Sequence, residues 1–101
     1  MIIIQYKILC MQHVELEKRK IILNALAEVV KKLRNKTEKS QRMLAFEYGL
    51  HKSLINRMEN SLSEPKLFSI LKIAQIFGIK PSKFLQLLEK ELPEGFTILE
   101  E

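Results

Sequence analysis

Lys52, Ser53, Asn56 and Arg57 carry the hydrogen-bonding groups that suit nucleic-acid surfaces. Arginine and lysine match guanine edges, asparagine matches adenine, and serine reaches either a base or the backbone. On one helix turning about 100° per residue, the four fall within an arc of roughly 140°, with Ile55 and Met58 on the opposite side. Such a helix has one polar and one apolar face. Alone, a polar face is an ordinary solvated surface, so the weight rests on what positions it.

Ser40 is a good N-cap, because its hydroxyl can accept from a backbone N–H that the first helical turn leaves unpaired. Leu44, Ala45 and Tyr48 then form an apolar stripe. Gly49 follows where a helix needs a residue tolerant of positive φ, so the chain can turn sharply and start a second helix within a few residues. Ala45 is small enough to let the two helices approach closely. Residues 40 to 60 therefore read as two short helices joined by a tight turn, and this context favours a functional polar face over a bland one.

At these residues the chain resembles the phage-repressor and Cro type of helix-turn-helix, the Xre family. Leu33-Arg34, Ser40-Gln41, Leu44-Ala45, Gly49, Ile55, Arg57 and Glu59-Asn60 sit where that family places such residues. So do Pro65, Leu67, Leu71-Lys72-Ile73-Ala74 and Phe77-Gly78-Ile79, so that about residues 26 to 88 are covered. The resemblance implies that residues 51 to 59 form the helix that enters the DNA major groove and that Gln41 touches a phosphate. Lys39, Arg42 and Asn60 are further candidates for phosphate contacts that fix register. His51 is a groove-facing donor or an ordinary turn histidine. There are departures: Glu38 stands near a usual glycine, Lys39 replaces an apolar residue, and Met43 and Phe46 replace residues that are commonly polar. Ser61 stands where glycine normally closes the second motif helix, which leaves Asn60 as the expected left-handed residue.

The charge supports the same region. The net charge is +5, and residues 31 to 57 hold eight Lys or Arg against two Glu, whereas residues 58 to 101 hold five against seven. A basic surplus on the motif is the expected electrostatic footprint for phosphates. The chain has no Asp, and His13 and His51 lack a nucleophile or metal-ligand partner at a recognisable spacing, so neither enzyme chemistry, a metal nor a cofactor is expected. Cys10 is the single cysteine, which rules out an intramolecular disulfide and suits a reducing cytoplasm. The apolar start lacks a basic leading region and a small-residue cleavage site, and no apolar run approaches the ~20 residues of a membrane span.

A chain of 101 residues with 47% apolar content suits one small domain. The first helix is expected from about Val14 to Arg34, with Ile22, Leu26, Val29, Val30 and Leu33 inward. A fourth carries Leu67, Ile70, Leu71, Ala74 and Phe77 inward, with Pro65 pre-set for its first turn, and Gly78 ends it. Pro81 opens a fifth, with Phe84, Leu85 and Leu88 inward. Ile2 to Leu9 and Phe96 to Leu99 are rich in β-forming residues and could pair as short strands, within a chain or across a dimer. The expectation is thus an all-α, five-helix, lambda-repressor-like helix-turn-helix domain with short strands at its ends. Residues 1–20 form an N-terminal extension, residues 21–92 the DNA-binding domain and residues 93–101 a tail. Met11 is an alternative start, since the resemblance needs nothing before it. The partners expected are double-stranded DNA and a second copy in a homodimer, with transcriptional repression as the role. The alternative is an antitoxin of the same fold that also binds a toxin protein.

Overall fold

Leu26, Val29, Val30 and Leu33 repeat at i, i+3, i+4 and i+7, and all four are buried, so one face of the first helix is the backbone of the core. The computed structural model describes the backbone of residues 2–99 and the side chains of residues 12–99. Five helices follow in order: α1 (Ile2–Thr37), α2 (Gln41–Glu47), α3 (Leu54–Glu59), α4 (Leu67–Ile76) and α5 (Pro81–Glu91). α1 packs against α3 and α5, α4 against α5, and α2 against α3. Leu44, Ile55, Met58, Ile73, Ala74 and Phe84 meet the α1 stripe in a single core.

α1 is longer than expected at both ends. Its 36 residues span about 54 Å at 1.5 Å per residue, which accounts for the 55 Å long axis of the molecule. The strand expected at Ile2 to Leu9 is instead helical backbone. An isolated strand leaves its N–H and C=O groups unpaired, whereas extending an existing helix pairs them within the segment. Phe96 to Leu99 form no strand either: turns and bends carry the tail back along α1, where Lys18 Nζ donates to the Ile98 carbonyl at 3.2 Å.

α4 and α5 form where expected but are rotated about their axes. Ile70, Ile73, Ala74 and Phe77 provide the inner face of α4, with Ile73 and Ala74 wholly buried. Leu67 and Leu71, read as inward, are exposed, and so is Leu85 on α5, where Leu87 packs against the core instead. Both stripes offered more apolar positions than one face can hold, and the core took the set that fits the neighbouring helices, α5 for α4 and α1 with α4 for α5. Pro81 occupies the first turn of α5 as expected, while Pro65 stands before the Lys66 cap of α4.

Three helix ends share one geometry. After α2, Gly49 (φ 62°) donates to the Phe46 carbonyl and Leu50 to Ala45. After α4, Gly78 (φ 70°) donates to Gln75 and Ile79 to Ala74. After α3, Ser61 (φ 57°) donates to Met58 and Leu62 to Arg57. Each is a Schellman closure with a left-handed residue satisfying two terminal carbonyls. The left-handed residue at the end of α3 is therefore Ser61 and not Asn60, whose φ is −105°. The two paired N–H groups fix which residue turns, and the Ser61 hydroxyl adds a bond to the Leu23 carbonyl at 3.3 Å.

Candidate nucleic-acid interface

The two motif helices are held by local chemistry that begins at Ser40. Its backbone is extended, and its Oγ accepts from the Met43 N–H at 3.0 Å, capping α2 as expected. Leu44 and Ala45 are buried, but Tyr48 is exposed, so the stripe is shorter than the sequence suggested. The seven residues of α2 complete only two turns, and Gly49 redirects the chain directly after Tyr48.

α3 starts three residues later than expected. His51 and Lys52 lie in the preceding turn, Ser53 is the cap residue, and the helix itself runs Leu54–Glu59. His51 has a local role: the Ser53 N–H donates to its Nδ1 at 3.2 Å, and the Ser53 Oγ lies 2.7 Å from the same nitrogen. Accepting an N–H makes this nitrogen unprotonated, so the neutral ring carries its proton on Nε2. Leu54 also donates to the His51 carbonyl at 3.0 Å. The imidazole thus supplies the acceptor that a capping hydroxyl would otherwise provide.

Ile55 and Met58 are each 1% exposed, whereas Asn56 and Arg57 are exposed on the other side. The polar and apolar faces of this helix therefore separate as its spacing requires. Lys52 is exposed and Ser53 half-buried, and both precede α3 instead of standing on the helix. Asn60 Nδ2 donates to the Asn56 carbonyl at 2.8 Å, which keeps its side chain on the same end of α3.

Gln41, at the first turn of α2, accepts from Asn56 Nδ2 through its Oε1 at 3.1 Å. The bond joins the two motif helices at their polar edge. Lys39, just before α2, is ion-paired with Glu47. The hydrogen bond that its ammonium donates to Glu47 is the main reason it is held above the ordinary lysine range, and the Glu47 charge adds to it. Arg42 is exposed and borders a shallow depression with Met43, Phe46 and Glu47. Phe46 is 90% exposed, an unusual placement for a phenyl ring.

One contributor escaped sequence reasoning. Glu59 is buried at 3% exposure on the side of α3 away from Asn56 and Arg57, and Arg34 from α1 holds it with two bonds, Nε to Oε2 at 2.6 Å and Nη2 to Oε1 at 2.9 Å. Arg34 Nη1 also donates to the Lys39 carbonyl at 3.1 Å. The guanidinium thus ties α1 to α3 and to the approach of α2. Both residues belong to the resemblance, and the signal for the pair was an acidic residue on α3 next to the apolar Met58.

A family model described as helix-turn-helix matches residues 30–84, more than half of the chain. Against curated protein sequences the chain has no match. Among solved structures, it is similar to the restriction-modification controller protein C.Esp1396I, determined as a tetramer in complex with its natural 35 base-pair operator. The TM-score is 0.62 at 24% identity, over 69% of this chain and 92% of that one, a likeness of fold. With the capped α2, the Gly49 turn and the two-faced α3 in place, the chain belongs to the Xre-type helix-turn-helix family of DNA-binding transcription regulators.

Proposed function

We propose that this chain binds double-stranded DNA sequence-specifically, as a homodimer, and represses transcription from the sites it occupies. The observation that carries the reading is the face of α3, where Asn56 and Arg57 stand exposed over a helix anchored by Ile55 and Met58. In this reading Lys52, Ser53, Asn56 and Arg57 read bases, with His51 setting the turn that presents them. Gln41, Lys39, Arg42 and Asn60 contact phosphates and fix the register. A cytoplasmic location goes with it, and no helix among the described residues is long and apolar enough to cross a membrane.

Two copies are part of the proposal because one short helix touches few base pairs, while two helices about 34 Å apart discriminate far better against a genome of competing sites. The exposed Leu67, Leu71 and Leu85 on α4 and α5 supply apolar surface that a second copy could cover. Selection from a random duplex library tests the whole reading: a two-fold symmetric consensus is expected, and recovery of no enriched sequence would overturn it.

The antitoxin reading is favoured by a separate observation, the exposure of Phe46, Phe68, Leu62 and Met43 at 90, 76, 64 and 55%. Apolar side chains of this size in water suit a protein partner. Stable co-purification with the product of an adjacent toxin-sized reading frame would move the assignment to that class.

A further inference from the structure

The groove between the C-terminal ends of α1 and α5 has a volume of about 410 Å³, within the roughly 300–1,000 Å³ of small-ligand pockets. Val29, Leu33 and Leu87 give it an apolar floor, and Lys32, Lys36, Lys90 and Glu91 stand around that floor. Lys32 is ion-paired with Glu91, whereas Lys36 and Lys90 have no ion-pair partner among the described residues. Both helices end here, and each C-terminus carries about half a negative charge, which the two free ammonium groups outweigh. The groove is therefore apolar within and positive at its rim.

Its apolar surface does not spread. From residue 22 to residue 36, α1 exposes no large apolar side chain, and on α5 the exposed Leu85 stands about 160° round the helix from Leu87. A stable protein interface takes about 800 Å² and roughly 20–30 residues from each side. A floor of three side chains ringed by charge is far smaller, and its size suits a single small molecule.

The groove also lies apart from the motif. Val29, Lys32, Leu33 and Lys36 fall within an arc of about 100° on α1, and Arg34, which holds α3 through Glu59, stands about 150° from the centre of that arc. A molecule in the groove leaves Asn56 and Arg57 uncovered.

We propose that this groove binds a small carboxylic acid, free in solution, with an apolar chain or ring. The apolar body lies on Val29, Leu33 and Leu87, and the carboxylate pairs with the ammonium groups of Lys36 and Lys90. Such binding is independent of DNA.

Titration of the full chain with hexanoate, octanoate and decanoate, each kept below its micelle-forming concentration and followed by amide NMR shifts, tests it. Shifts centred on Val29, Leu33 and Leu87 are expected, with affinity rising about fourfold for each added methylene until the floor is covered. Octylammonium, equal in length to octanoate and opposite in charge, should bind about tenfold more weakly. In the chain carrying Lys36→Glu and Lys90→Glu together, with circular dichroism to confirm the fold, that preference should reverse. If this variant does not fold, the preference of the parent decides alone. Equal affinity of the parent for octanoate and octylammonium, affinity independent of chain length, shifts centred on Phe46 or Phe68, or an unreversed preference in the folded variant would each overturn the site. So would loss, in sedimentation of the folded variant, of an association that the parent shows, because a second copy would then be what covers the groove.

Discussion

Arg34 clasps Glu59 across the body of the domain, with both carboxylate oxygens bonded to one guanidinium and the acid 3% exposed. The pair joins α1, the longest element, to α3, the helix whose outer face is the candidate interface. The hydrogen bonds to Glu59 are the main cause of a guanidinium held above its ordinary range. Because the folded value is raised, this arginine's contribution is complete at pH values below its unfolded range and fades only as pH rises through the folded value. It is therefore constant across neutral pH.

Arg34→Ala should be among the most damaging single changes, because it leaves the Glu59 carboxylate buried without a partner. The expected loss is about 3–5 kcal/mol in a denaturant melt. Replacing both residues together should cost less than the Arg34 change alone, since no charge is then stranded. A melt in which Arg34→Ala matches the parent would mean that water reaches Glu59 and the clasp is superficial.

Glu38 and Ser61 are the two non-glycine residues with positive φ among the described residues, at 60° and 57°. Ser61 stands where the resemblance expects glycine, and Glu38 stands near such a position. A side chain in the left-handed region costs roughly 1–2 kcal/mol, against about 0.5–1 kcal/mol of extra backbone entropy that glycine loses on folding. Glu38→Gly should therefore raise stability by about 0.5–1 kcal/mol. Ser61→Gly should gain less, because it also gives up the bond to the Leu23 carbonyl. The mirror experiment is Gly49→Ala: a Cβ there meets no neighbouring atom, so its expected cost of about 1–2 kcal/mol is purely conformational. Equal melting temperatures for all three would remove backbone strain as the explanation.

Ala45 is 5% exposed in α2, whose neighbour is α3. Ala45→Leu should overpack this site and cost about 1–3 kcal/mol, with DNA binding reduced in step with the folded fraction. An unchanged melt would place Ala45 outside the helix crossing.

Local chemistry was the legible part of this domain. The Ser40 cap, the Gly49 turn and the burial of Ile55 and Met58 each depend on residues within one or two turns, and the structure has them as read. What depended on tertiary choice was not legible. Arg34 and Glu59 are 25 residues apart, and nothing local pairs them. Ile73 won the inner face of α4 over Leu67 and Leu71 because of where α1 and α5 stand, and hydrophobicity alone cannot rank three neighbouring aliphatic residues. β-propensity misjudged Ile2 to Leu9 because it ignores the advantage of continuing a helix already formed behind them. At the candidate interface the residue types were readable, but the late start of α3 was not, since it turns on the His51 ring accepting the Ser53 N–H.

Lys39 and Glu47 form an exposed ion pair beside the start of α2, so the pair's effect should fall on binding more than on folding. Lys39→Ala should weaken association with all duplexes alike and make the salt dependence shallower by about one unit. Glu47→Gln should act in the opposite direction, because it releases the ammonium and removes a negative charge from the approach of the phosphates. A change in base preference with either variant would place Lys39 over the bases and overturn the assigned register.

Gln41 and Asn56 share a bond of 3.1 Å between the first turn of α2 and the exposed face of α3, so the side chain assigned to a phosphate orients the side chain assigned to a base. If that bond presents Asn56 to adenine, Asn56→Ala should lose about 1–3 kcal/mol at one position of each half-site, and Gln41→Ala should lose part of the same preference. The double variant should then lose less than the sum of the two, because the second change removes a partner already absent. Arg57→Ala serves as the comparison: it should relax a different position by a similar amount, about 1–3 kcal/mol, and add independently to either change. Binding measured against duplexes with each half-site base varied in turn separates these outcomes. Strict additivity of the Gln41 and Asn56 effects would mean that the bond is broken on DNA and that each residue contacts it alone.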